Sequence, residues 1–99
     1  MDAKERAKIT RRLTDLHQQL ASVGPLMRGS VVMLGTRNKY PYFSLNKDKK
    51  TKIIYLGKKR EAKARQYSEN YQRLMKITEE MTLLNMALLK DSGKKAKNL

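Results

Sequence analysis

A chain of 99 residues with 39% hydrophobic content suits one small domain with a modest core, and the lack of Cys excludes a disulfide framework and any thiolate metal site. With no Trp and a single Phe, that core has to come from Leu, Ile, Val, Met and Tyr. The net charge of +14, from 23 basic and 9 acidic residues, is large enough to destabilise a compact state by self-repulsion, and a polyanion would relieve it.

The chain opens on MDAKERAKITRR, charged from its second residue, so it lacks the apolar core of a signal peptide. No stretch approaches the ~20 apolar residues of a membrane span. The expectation is a cytosolic (cytoplasmic) protein that does not bind a membrane. Residues 2–23 predict a helix: Ile9, Leu13, Leu16, Leu20 and Val23 fall on one stripe, and Gly24-Pro25 ends the run.

Residues 29–56 change character. GSVVMLG, KYPYFSL and TKIIYL are short runs rich in β-branched and aromatic residues, separated by the polar spacers TRNK and NKDKK. They predict a three-stranded antiparallel meander. In the third strand Lys52, Ile54 and Leu56 share one face, and Ile53 and Tyr55 the other. Neither face is cleanly polar, so pattern alone leaves the buried side open.

Residues 59–90 predict one long helix. Tyr67, Leu74, Met81 and Leu88 recur every seven residues, with Ile77 and Leu84 three later, which is a coiled-coil-like seam with Asn70 as its polar exception. The first helix or a second copy of the chain would cover its far half. Ser92-Gly93 is expected to end it. The fold class is therefore α+β: an N-terminal helix, a three-stranded meander and a long C-terminal helix, forming a single domain over 1–91 with a disordered basic tail at 92–99.

Gly29-Ser30, Tyr40-Pro41-Tyr42 and Glu69-Asn70-Tyr71, with the Glu-Glu and Leu-Asn pairs downstream, resemble a family of short uncharacterised prokaryotic proteins often found beside transposable elements. The likeness spans roughly residues 5–90. Many members of that family place several Cys between the first two strands. This chain has Thr36-Arg37-Asn38-Lys39 there, so no metal is carried over, and no other cofactor is expected. Residues 40–66 are similar, more distantly, to the arm-binding domains of tyrosine recombinases, which insert a three-stranded sheet into the major groove. The resemblance implies a mobile-element setting and no defined activity.

The charge is concentrated in the middle of the chain. Residues 29–60 hold nine basic residues and one acid, Asp48. A surface that is merely solvated usually mixes signs. Arg37, Lys39, Lys47, Lys49, Lys50, Lys52, Lys58, Lys59 and Arg60 are therefore the expected phosphate contacts, in one patch extended by the opposite turn. Lys58, Lys59 and Arg60 at a helix start oppose the helix dipole unless an anion sits nearby, so bound phosphate and a plain strand-to-helix turn both stay open there. Tyr40, Tyr42, Phe43 and Tyr55 are expected to form the sheet's core, because the fold has few other rings. Tyr40 and Tyr42 share one side and Phe43 the other, so exposure of at least one set stays open; exposed rings would stack on unpaired bases and point to RNA or single strands.

Catalysis has little to work with. His17 is the lone His and has no spaced ligand partner, the serines lack a nucleophile context, and Glu79-Glu80 point about 100° apart on a helix. Met75, Met81 and Met86 read as core filler. The sequence thus predicts a small nucleic-acid-binding accessory protein that is not an enzyme, with DNA favoured over RNA. The alternatives are an RNA-binding component of a ribonucleoprotein, and a helical interaction module that docks a second copy or a larger protein.

Overall fold

The computed structural model describes residues 1–96, with side chains through residue 92. Its elements run α1 (Ala3–Ala21), β1 (Ser30–Leu34), β2 (Tyr40–Lys47), β3 (Lys50–Tyr55) and α2 (Gly57–Ala96). The class is α+β, with an antiparallel sheet in the order β1-β2-β3. Among the described residues no helix is long and apolar enough to cross a membrane. The chain divides into two compact units: a helical unit, residues 1–23 and 74–99, and a sheet unit, Gly24–Arg73.

In the helical unit α1 starts at a capped end, where the Asp2 carboxylate accepts from the Glu5 N–H at 2.8 Å. The expected stripe is the one that packs. Leu16 and Ile77 are buried, and Ile9, Leu13, Leu20, Leu74, Met81, Leu84 and Leu88 are half-buried. α1 thus supplies the partner that the far half of α2 requires. At the edge of the seam Arg12 grips Glu80 with two bonds, Nη2 to Oε1 at 2.8 Å and Nε to Oε2 at 2.5 Å, and reaches Asp15 with its third nitrogen. That hydrogen bond holds the Glu80 carboxyl below the usual carboxylate range. Leu83, Met86 and Leu89 lie on the opposite side of α2, exposed, so Met86 is not core filler, and neither is the exposed Met75.

α2 does not end at Ser92-Gly93. It continues to Ala96, so the disordered tail expected from residue 92 is helical in its first part, and 97–99 lie outside the described residues. A helix-interior Gly costs only about 1 kcal/mol, which a long helix absorbs.

In the sheet unit Val31, Phe43 and Ile54 stand opposite one another across the three strands. This is the face turned to α2, where Phe43, Leu56 and Ala64 are buried together with Met27, Val31 and Leu45 packed around them. The segment from Gly24 to Gly29 is laced to one turn of α2. Asn70 Nδ2 donates to the Pro25 carbonyl at 2.7 Å, the Met27 N–H to the Tyr67 carbonyl at 3.2 Å, and Ser68 Oγ to the Gly29 carbonyl at 2.9 Å. The polar exception of the seam therefore has a structural task. Gly29 lies directly over the Phe43 ring with φ +133°, a region closed to ordinary side chains, and a Cβ there would sit 2.8 Å from the ring and 2.5 Å from the Ser44 carbonyl.

Two stability outcomes follow. Gly29→Ala should lower the unfolding free energy by about 1–3 kcal/mol, read by urea denaturation, because no flexible neighbour can yield. The Glu80 contribution, arising from a depressed folded-state pKa, is fully present above about pH 4.3 and is lost as pH falls through the lowered value. Glu80→Gln should flatten that part of the acid unfolding profile followed by circular dichroism, and an unchanged profile would show the pair to be inert.

Candidate nucleic-acid interface

The expected contacts divide between the two ends of the sheet. Lys47, Lys49 and Lys50 occupy the β2–β3 hairpin, with Lys52 two residues further along β3. Arg37 and Lys39 lie in the β1–β2 loop at the other end, beside the β3–α2 junction that carries Lys58, Lys59 and Arg60. β2 separates the two groups by roughly 24 Å at 3.4 Å per residue. The single patch expected from the sequence is therefore two cationic clusters bracketing a sheet.

The hairpin cluster is crowded in a specific way. Lys47 and Lys50 are direct cross-strand partners. Like charges facing each other across a ladder destabilise it, and an anion between them reverses the sign. The connection is two residues long, Asp48 and Lys49, with φ of +53° and +63°. Both lie in the left-handed region, as in a type I′ turn, whose second position ordinarily takes Gly. Lys49 thus holds a charge at the tip at a backbone cost of about 1–2 kcal/mol. The hairpin is braced by Thr51 Oγ1 to Asn46 Oδ1 at 2.8 Å and by Arg28 Nη1 to the Asn46 carbonyl at 2.9 Å. Arg28 therefore joins this end, although sequence reasoning passed over it because it stands outside the strand runs. Lys47 and Lys52 border an apolar groove formed with Met27, Phe43, Leu45 and Ile54 on the helix-facing side.

At the other end the assignments separate. Arg60 is engaged within the fold: its Nε donates to the Leu56 carbonyl at 2.9 Å and its Nη2 to the Tyr55 carbonyl at 2.8 Å. It terminates β3 by satisfying strand-end acceptors. Lys58 and Lys59 are exposed, and the first turn of α2 contains no acidic residue. Arg37 and Lys39 are exposed on their loop.

The aromatic residues depart from the expected core. Only Phe43 is buried. Tyr40, Tyr42 and Tyr55 have the opposite parity and stand on the other face of the sheet. Tyr40 is 46% exposed, Tyr55 48% and their neighbour Ile53 50%. The three rings pack on one another, Tyr42 edge-on to Tyr55 at 5.3 Å between centroids and Tyr40 tilted to Tyr55 at 6.4 Å. The core fills instead from α2, where the small Ala64 lets the sheet approach closely.

The two units also differ in charge. Gly24–Arg73 holds thirteen basic and three acidic residues, whereas residues 1–23 and 74–99 hold ten and six. Ten of the fourteen excess charges therefore reside on the sheet unit. Comparison with protein-family models, with curated proteins and with solved structures finds no match to this chain.

Lys49→Gly should raise stability by about 1 kcal/mol, through relief of the left-handed backbone, while removing one tip charge. A rise in melting temperature together with weaker polyanion binding is the expected pair of results. A fall in melting temperature would show that the tip is not strained.

Proposed function

We propose that this chain is a small non-enzymatic accessory protein that binds nucleic acid through its sheet unit. The observation that carries the reading is the concentration of charge: +10 on Gly24–Arg73, against +4 on the helical unit. Lys47, Lys49, Lys50 and Lys52 would hold phosphates at the hairpin end, and Arg37, Lys39, Lys58 and Lys59 at the other. Arg60 shapes the second site through its two carbonyl bonds. A cytosolic setting and an association with mobile elements belong to the same proposal, the latter resting on the resemblance, with DNA and RNA as its two targets.

The helical unit supports a second reading. Leu83, Met86 and Leu89 form an exposed apolar strip on the less charged unit, +4 against +10, where a second copy would meet less repulsion than at the sheet. In that reading the strip docks another chain and the sheet charge only accompanies it.

One set of measurements separates the two readings. If about six phosphates are contacted, log affinity should fall against log salt with a slope near −5 on duplex DNA and about −4 on single strands. Reversing Lys49, Lys50, Lys58 and Lys59 to Glu should abolish binding with helix content unchanged. A flat salt response removes the nucleic-acid reading. A stable oligomer by mass, indifferent to oligonucleotide, would establish the second.

A further inference from the structure

We propose that the tyrosine face of the sheet is a stacking platform for unpaired bases, so that the ligand of the sheet unit is a single strand. The inference rests on the nucleic-acid reading above and adds to it the class of ligand. Its centre is the cleft between the β1–β2 loop and the sheet, lined by Thr36, Arg37, Asn38, Tyr40, Tyr42 and Ile53.

Four features of this cleft fit a base and its phosphate. The first is flat aromatic surface in solvent, of the kind that stacks on any base through its π-face. Second, the rings are set in advance. Tyr42 and Tyr55 are cross-strand partners in an edge-on contact, and Tyr40 leans on the same Tyr55 ring, so little side-chain freedom remains to be lost on binding. Third, Arg37 brings a guanidinium to the cleft wall, where it can pair with a phosphate or stack on a base. Fourth, Thr36 and Asn38 supply donors and acceptors beside an otherwise apolar floor of Ile53 and the rings, as a base edge requires.

Charge decides what occupies the face. A second sheet unit laid against it would bring two +10 bodies together, which is unfavourable at short range. A polyanion is attracted by the same field. A duplex satisfies the charge, but its base faces are buried in its own stack, so the rings would gain nothing. A strand with free bases uses the rings together with Arg37 of the same cleft, whereas Lys47, Lys50 and Lys52 share the parity of Phe43 and belong to the helix-facing side.

Tyrosine emission reports on this directly, because the chain has five Tyr and no Trp. The full chain is titrated with oligo(U), oligo(dT) and a blunt DNA duplex of equal length. Single strands should quench the emission and bind more tightly than the duplex. Tyr42→Leu and Tyr40→Leu, which keep a strand-compatible apolar side chain, should each weaken single-strand binding roughly 10-fold or more. Tyr42→Phe should retain parental affinity, and the duplex affinity of all three should stay within about twofold of the parent on this account. Oligo(U) ahead of oligo(dT) would assign the cleft to RNA, and equal affinities would assign it to unpaired bases of either kind.

Quenching in the unsubstituted protein is independent of whether any variant folds. Leu variants that bind single strands like the parent, with the salt slope intact, would overturn the platform and leave nucleic-acid binding standing. Failure of the parent to bind any oligonucleotide overturns both. Tyrosines inaccessible to acrylamide in a protein of doubled mass would show the face covered by a second copy, which also overturns the proposal.

Discussion

Three hydrogen bonds between the Gly24–Gly29 segment and the Tyr67–Asn70 turn of α2 decide which side of the sheet is buried. They fix the entry of β1 onto the helix, and the period-two alternation of the strands does the rest. Val31, Phe43 and Leu45 fall inside with Ala64 and Leu56. Every residue one step away falls outside, which is why three tyrosines share a solvent-facing surface. A one-residue slip would exchange the two sets and bury phenolic hydroxyls without partners. Gly29 enforces the register, since it alone allows the backbone to cross Phe43 this closely.

The electrostatic design has to be read together with that packing. Facing lysines at positions 47 and 50, a left-handed lysine at 49 and an all-basic start to α2 each cost stability in the isolated chain. The nearest carboxylates in sequence are Asp48 at the tip itself and Glu61 in the second turn of α2, which is paired with Arg65. Burial of a few residues leaves a small domain a narrow margin, so unfavourable choices repeated at both ends of one sheet are consistent with a ligand that reverses their sign. The helical unit shows the opposite pattern: Arg12 is answered by Glu80 and Asp15, and Arg6 by Asp91 at 3.1 Å.

Element type and order were legible because each element has a strong periodic signature. The α1 stripe, the three β-branched runs and the heptads of α2 all appear where the spacing puts them. Even the polar interruption at Asn70 was visible, though its acceptor, Pro25, lies 45 positions away and leaves no local trace. The sheet's orientation was not legible, because neither face of β3 is cleanly polar: Lys52, Ile54 and Leu56 line one, and Ile53 and Tyr55 the other. Counting aromatic residues favoured all four rings as core, although alternation already set Tyr40 and Tyr42 opposite Phe43; the strand register adds Tyr55 to the tyrosine side. The candidate cations were found by composition, but composition carries no direction, so the division between two ends and the internal engagement of Arg60 emerge only from topology. The end of α2 was misplaced because Gly93 is a weak stop in a helix already long enough to continue.

β3 has a further role that follows from its place in the order. It is an edge strand, with one row of backbone donors and acceptors open to a neighbour, and Ile53, Ile54 and Tyr55 make it an adhesive one. Lys50 and Lys52 guard that edge by repelling the corresponding strand of another molecule. Neutral residues at these two positions would leave the edge open to strand pairing with a second molecule.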